Sequence, residues 1–163
     1  MRNTILILVL ISLVSCSGNN NNRIPLYNEL TFNLTEGESV TTINQKAEEK
    51  YTKYFNSGDI QIPLFKYIQH KDYEIFIGLP FQTSIAKMIQ YQNLRSDSTV
   101  VNLKTNPKGF YKTYTSDSAY ITEYATEVAG KYLLFISAMT NSKELADSLF
   151  TEQQLSSRIT IND

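Results

Sequence analysis

Short apolar segments joined by tight turns dominate the second half of this chain, and they restrict the fold to an antiparallel sheet. The longest pair, residues 119–128 and 132–139, flanks the turn Ala129-Gly130-Lys131. Two shorter strands are predicted at residues 99–104 and 109–115. Strands that follow one another through turns this short pair antiparallel, because a parallel neighbour requires a long crossover connection.

A second hairpin is predicted in the first half of the chain. Residues 64–69 and 73–79 flank the polar turn His70-Lys71-Asp72. Side chains two positions apart on a strand share a face, so the apolar face of the second segment should point to the core. That face carries Tyr73, Ile75, Ile77 and Leu79.

Apolar residues at helical spacing predict helices around these strands. The first helix covers residues 42–55 and begins with Thr42 and Gln45 as a capping box. A short helix is predicted after Pro80, and a third follows the long hairpin. Their apolar stripes are Ile43, Ala47, Tyr51, Tyr54 and Phe55 in the first, Ile85, Met88 and Ile89 in the second, and Leu145, Ala146, Leu149 and Phe150 in the third.

The order of these elements predicts an α+β domain, an antiparallel β-sheet packed by helices. Asn141 with Glu144 resembles the start of the third helix, and residues 157–161 form a terminal strand. The ending of a long hairpin, a helix and a short strand, over residues 60–161, resembles the PsbP/Mog1-like α/β/α sandwich. That resemblance is architectural and implies no chemistry.

The first fifteen residues predict a secretory signal peptide. Arg2 is the only charge before an apolar run that includes residues 5–11, and small residues follow. As a helix, residues 4–15 would rise about 18 Å, against a hydrocarbon core of roughly 30 Å. The run is therefore too short for a spanning helix.

The sequence Leu13-Val14-Ser15-Cys16 resembles the lipobox of bacterial lipoproteins and contains the only cysteine of the chain. The resemblance implies removal of residues 1–15 and attachment of acyl chains such as palmitate to Cys16. Residues 16–24 then form a lipidated tether, and residues 25–163 form a single globular domain. A free thiol or an intermolecular disulfide at Cys16 is the alternative. The residue after Cys16 is not an Asp, which favours the outer membrane over the inner membrane.

Composition limits the partners of the mature chain. Removal of the first 15 of 163 residues leaves 148, a length that suits one domain with one core. Without Arg2, 14 basic side chains face 16 acidic ones, and this balance of −2 argues against nucleic acid as a partner. The 11 tyrosines fit half-buried strands, although a surface that stacks on sugars or other ligands is the alternative.

No set of catalytic or metal-ligating residues stands out in the sequence. His70 is the only histidine, and we expect it on an exposed turn. Glu123 and Glu127 share a face of one predicted strand, and with Lys131 nearby we expect them at a solvated edge. A Gly-rich phosphate-binding loop is absent. The sequence therefore predicts no catalytic residue, no metal site and no cofactor.

Three Asp-Ser sequences resemble short O-glycosylation sites of periplasmic proteins. Ser98 and Ser118 are the predicted acceptors, each following an Asp and preceding Thr99 or Ala119. The third sequence, Asp147-Ser148-Leu149, lies in a predicted helix and is not expected to be modified.

These features predict a lipid-anchored cell-envelope protein that is a non-catalytic binding or accessory module for an envelope protein or a small ligand. A hydrolase that acts on cell-wall or glycan material through carboxylates or His70 is one alternative. An inhibitor or immunity-type protein is another. The expected membrane contact is made through the acylated Cys16.

Overall fold

The structure, a computed structural model, describes residues 22–27, 30–55, 62–82, 101–103, 109–128, 132–149, 154 and 157–161. Within these ranges the chain forms eleven strands and two helices. The strands are β1 (Arg23–Tyr27), β2 (Leu30–Asn33), β3 (Ser39–Thr41), β4 (Leu64–Gln69), β5 (Tyr73–Gly78), β6 (Phe81–Gln82), β7 (Val101–Leu103), β8 (Gly109–Ser116), β9 (Ala119–Val128), β10 (Tyr132–Thr140) and β11 (Ile159–Ile161). The helices are α1 (Gln45–Phe55) and α2 (Lys143–Leu149).

The main sheet is antiparallel and contains eight strands. Their order is β3-β4-β5-β10-β9-β8-β7, and β6 pairs with β10 beside this path. The two predicted hairpins are confirmed as β4–β5 and β9–β10. An α+β fold with an antiparallel sheet packed by helices is therefore confirmed. Leu79, expected in the core, is instead 43% exposed, because it lies beyond the last paired residue of β5.

A second sheet of three strands, in the order β1-β2-β11, is not predicted by the sequence patterns. The terminal strand is shorter than expected, since Ser157 and Arg158 are helical and only β11 is extended. It pairs with β2, where Ile159 lies opposite Phe32. The two ends of the domain are thus joined in one small sheet.

The main sheet is covered on both faces. On one face, apolar residues of α1 pack against the sheet; this cluster comprises Ala47, Tyr51, Phe55, Tyr67, Phe76, Ala119, Ile121 and Met139. On the other face, the small sheet and α2 enclose the larger cluster of Ile24, Leu26, Leu30, Phe32, Ile68, Tyr73, Ile75, Ile77, Tyr124, Leu134, Ile136, Ala138, Leu149 and Ile159. Double coverage explains why residues 133–140 of β10 are all buried.

Both helices begin close to the predicted positions but use different caps. The side chain of Asn44 accepts a hydrogen bond from the backbone N–H of Ala47 at 3.0 Å, so Asn44, not Thr42, caps α1. Ser142, not Asn141, caps α2, because its hydroxyl accepts from the N–H of Leu145 at 3.2 Å. The buried residues of α1 match the predicted stripe.

Several sequence predictions lie outside the described residues. These are the signal peptide and Cys16, the helix after Pro80, residues 99, 100 and 104 of a predicted strand, and the turn of residues 129–131. The tether boundary needs correction, since β1 begins at Arg23 and the side chain of Ile24 is buried in the core. Among the described helices, none has the length and apolarity to cross a bilayer.

Candidate functional site

A polar groove of about 510 Å³ lies at one end of the main sheet. In the antiparallel pairing, Gln69 near the end of β4 lies opposite Glu74, and Thr140 at the end of β10 lies opposite Tyr73. These strand ends and the turn between β4 and β5 therefore meet. The groove is lined by Lys50, Gln69, His70, Lys71, Asp72, Tyr73, Glu74, Met139, Thr140 and Asn141.

An ionic network forms the side of the groove next to α1. The ammonium of Lys50 lies 2.5 Å from Glu74 Oε2, and the Tyr67 hydroxyl donates to Glu74 Oε1. Gln69 Nε2 in turn donates to the Tyr67 hydroxyl at 2.9 Å. Lys50 and Glu74 also line a smaller recess of about 60 Å³, shared with Asn44 and other residues of α1 and β4. The network thus connects the groove to the first turn of the helix.

Tyr67 is a hydrogen-bond donor at neutral pH, as any phenol with a pKa near 10 is, and its environment extends this protonated form to higher pH. Burial, and secondarily the hydrogen bond to Glu74, raises the pKa of Tyr67 to about 12. Burial also raises the pKa of Tyr51, with a contribution from Glu123, and burial raises the pKa of Tyr73.

These raised pKa values predict an alkaline loss of stability. Unfolded tyrosine titrates near pH 10, so between pH 10 and about 12 the folded state retains a proton on Tyr67 that the unfolded state has lost. The free energy of unfolding should then fall with rising pH by about 1.4 kcal/mol per unit for each such tyrosine. Denaturation at several pH values measures this fall. The slope should be shallower in Tyr67→Phe, and titration of every phenol near pH 10 by absorbance at 295 nm would contradict the prediction.

His70 lies at the predicted turn between β4 and β5, but its side chain is not exposed as expected. Only 15% of its side chain is exposed. Its ring stacks on Tyr73 with centroids 4.3 Å apart, and its Nδ1 accepts from the N–H of Asp72 at 3.2 Å. Gly37 packs against the ring edge, since a Cβ there would lie 2.9 Å from Cδ2 and Nε2. The φ of +81° at Gly37 also favours glycine. His70 therefore has a packing role at the wall of the groove.

A buried ion pair contacts Tyr73, which lines the groove. The guanidinium of Arg158 donates to both carboxylate oxygens of Glu38, at 2.7 and 2.5 Å. The Tyr73 hydroxyl donates to the same carboxylate at 2.7 Å. The side chain of Arg158 is 6% exposed and that of Glu38 is 0% exposed. Sequence analysis missed this pair, because no local pattern links residues 120 positions apart.

Glu123 is not at a solvated edge. It lies on β9, inside the main sheet, and only 2% of it is exposed. It accepts a hydrogen bond from the Tyr114 hydroxyl at 2.9 Å. The expectation was wrong because α1 covers the face that Glu123 shares with Ile121. The side chain of Glu127 lies outside the described residues.

The predicted modification sites occupy different settings. Ser118 is exposed in the two-residue turn between β8 and β9, whereas Ser98 lies outside the described residues. Ser148 lies in α2, where its hydroxyl donates to the Leu145 carbonyl at 2.9 Å. Exposure at a turn keeps Ser118 a predicted acceptor, and its glycosylation stays a prediction.

The turn at Ser118 carries backbone strain that glycine should relieve. Asp117 and Ser118 have φ values of +48° and +68°, which fit a hairpin turn that favours glycine at the second position. We expect Ser118→Gly, in unmodified protein, to raise the free energy of unfolding by about 0.5–1 kcal/mol. Urea denaturation measures the change. Ser116→Gly in β8 is the matched control and should destabilise; equal effects of the two substitutions would contradict the prediction.

The described residues offer charged and hydroxyl groups for recognition in the groove, and they contain no cluster of three His, Cys, Asp or Glu side chains suited to a metal ion. No protein-family model matches the chain, and no curated protein matches it significantly. The groove itself is therefore the basis for assigning a function.

Proposed function

We propose that the protein is a lipid-tethered envelope protein that binds a small polar ligand, or a polar segment of another envelope protein, in the groove without catalysing a reaction. The observation that carries the proposal is a groove of about 510 Å³ lined by charged side chains of both signs. Lys50 is paired with Glu74 on the side next to α1, whereas Lys71 and Asp72 are mostly exposed at the rim. A pair held in place before a ligand arrives, as Lys50 and Glu74 are, reduces the ordering cost of binding.

The arrangement favours binding over acid–base chemistry. Both oxygens of the Glu74 carboxylate are engaged, one by the Lys50 ammonium and the other by the Tyr67 hydroxyl, so the side chain is held as an anchor. His70 is stacked on Tyr73 and contacts Gly37 along its ring edge. The envelope location rests on the lipobox resemblance at Cys16. The outer-membrane location and the PsbP/Mog1-like resemblance stay predictions.

Substitution of Lys71 tests the proposal. Its side chain is 82% exposed at the rim of the groove, so Lys71→Glu should leave the fold intact. We expect mature lipidated protein, purified from native membranes, to retain a specific partner or ligand that the Lys71→Glu protein loses by tenfold or more, about 1.4 kcal/mol. Affinity capture followed by mass spectrometry measures retention.

The control is Lys53→Glu, because Lys53 is 60% exposed and lies outside the residues that line the groove. It should retain the partner. Equal recovery by the two variants would overturn the groove as the binding site, and repeated recovery of nothing specific by the unsubstituted protein would overturn the binding role. Intact-mass analysis of the same preparation tests acylation of Cys16.

A further inference from the structure

Only a few residues of sequence separate Cys16 from Asn22, the first described residue. Asn22 is held in place by its carbonyl, which accepts a hydrogen bond from the N–H of Leu34 at 2.7 Å. Cys16 is six residues before Asn22, and a chain spans at most about 3.6 Å per residue. An acylated Cys16 would thus hold Asn22 within about 22 Å of the bilayer surface, whatever path the chain takes.

The groove lies at this same end of the domain. The residue after Leu34 is Thr35, whose hydroxyl lies 3.4 Å from that of Tyr73. Tyr73 lines the groove, and its ring stacks on His70, which also lines it. The opposite end of the main sheet is marked by Leu79, which lies beyond the six residues of β5. That strand separates the two ends by about 20 Å. The groove end of the main sheet is therefore nearer to the anchor than the Leu79 end is.

Charges in the groove are balanced. Two cations, Lys50 and Lys71, and two anions, Asp72 and Glu74, line it. A ligand with a net negative charge would meet the two carboxylates, whereas a ligand carrying one charge of each sign can pair with both sets. The other polar side chains of the lining are those of Gln69, His70, Tyr73, Thr140 and Asn141, so the groove suits a polar group better than an acyl chain.

We infer that the groove faces the bilayer and binds the zwitterionic phosphoethanolamine head group of a membrane lipid, an inference that rests on the proposed function. The phosphate is bound by Lys50 and Lys71, and the ammonium donates to Asp72 and Glu74. Because the ammonium carries hydrogens, these bonds are charge-assisted and distinguish phosphoethanolamine from phosphocholine, whose methylated nitrogen donates none. The domain then recognises a head group of the membrane to which it is tethered.

Orientation is tested with single spin labels on the mature, lipidated protein in phosphatidylcholine vesicles containing phosphatidylethanolamine. Acylation occupies the only cysteine of the chain, so Glu36→Cys and Leu79→Cys each offer one labelling site without altering a residue that lines the groove. Glu36 is exposed beside Gly37, which packs on His70 at the groove end of the sheet. Nickel-chelating lipid should enhance relaxation of the label at position 36 several-fold more than that of the label at position 79. Equal enhancement, or a stronger effect at position 79, would overturn the inferred orientation.

Head-group selectivity is tested by following backbone amide shifts of groove residues as short-chain phosphatidylethanolamine, phosphatidylcholine or phosphatidylglycerol is added to the lipidated protein in micelles. We expect about tenfold tighter binding of phosphatidylethanolamine, the effect of one hydrogen bond to a charged group. Free glycerophosphoethanolamine should bind in the same groove but more weakly, because it lacks attachment to the surface. Asp72→Asn should abolish the preference, and Asp117→Asn, at an equally exposed carboxylate outside the groove, should keep it.

The outcomes separate this inference from the proposed function. Equal binding of the three lipids, or an unchanged preference in Asp72→Asn, would overturn the head-group assignment while the polar groove remained a binding site for another ligand. An intact mass without acyl chains on Cys16 would overturn the tether of the proposed function and this inference with it. Tighter binding of free glycerophosphoethanolamine than of the lipid would assign the groove to a soluble metabolite rather than to the bilayer.

Discussion

Replacement of Arg158 by alanine is expected to lower the free energy of unfolding by about 3–5 kcal/mol, because it leaves the carboxylate of Glu38 buried without its cation. Arg158 donates to both oxygens of Glu38, and its guanidinium lies 4.4 Å from the centroid of the Phe32 ring. Alanine removes the ionic contact and the packing on Phe32 together. Urea denaturation followed by circular dichroism measures the loss.

Two further variants identify the cause of this loss. In Arg158→Leu/Glu38→Leu both charges are removed, so the double variant should be more stable than Arg158→Ala. Lys53→Ala removes an ion pair to Asp117 in which both side chains are about 60% exposed, and it should change stability little, because solvent screens the pair. A loss in Arg158→Ala no larger than in Lys53→Ala would show that the buried pair is not needed for the fold.

The pair also links the small sheet to the groove. Arg158 precedes β11, and Glu38 lies between β2 and β3. Tyr73, which donates to Glu38, forms a wall of the groove. The position of the groove wall thus depends on the contact between the C-terminal residues and the loop after β2.

Elements with a strong local pattern were predictable from the sequence. The hairpins β4–β5 and β9–β10 combine apolar strands with short polar turns, and their bounds are close to those predicted. The small sheet was not predictable, because β11 pairs with a strand more than 120 residues earlier. Nothing in the three residues of β11 specifies that partner. The caps were misplaced by one or two residues because several polar residues precede each helix.

The candidate site was harder to predict, because none of its residues belongs to a recognisable sequence motif. His70 was expected to be exposed because its sequence neighbours are polar, yet Tyr73 and Gly37 cover its ring. Glu123 was expected at an edge because it is charged, yet its strand is covered by α1. Burial of these two residues depends on tertiary contacts that local periodicity does not contain. The groove likewise forms only when the ends of three elements come together.

Packing beneath α1 determines whether the groove keeps its shape, and Phe76 lies at the centre of that packing. Its ring centroid is 5.1 Å from that of Tyr67, 5.4 Å from that of Phe55 and 6.0 Å from that of Tyr51. Phe76→Ala should therefore cost about 3–5 kcal/mol of stability and loosen α1. Denaturation measures the first effect, and amide hydrogen exchange of α1 measures the second.

Phe65→Ala is the control, because Phe65 is only partly buried on β4 and should contribute less to stability. Phe76→Leu keeps most of the buried surface and should lose roughly 1 kcal/mol, so the effect remains measurable if the alanine variant does not fold. Because Lys50 reaches Glu74 from α1, a loosened helix should also weaken ligand binding in the groove. Unchanged exchange protection of α1 in Phe76→Leu and Phe76→Ala would contradict the view that this aromatic cluster holds the helix, and with it one wall of the groove, against the sheet.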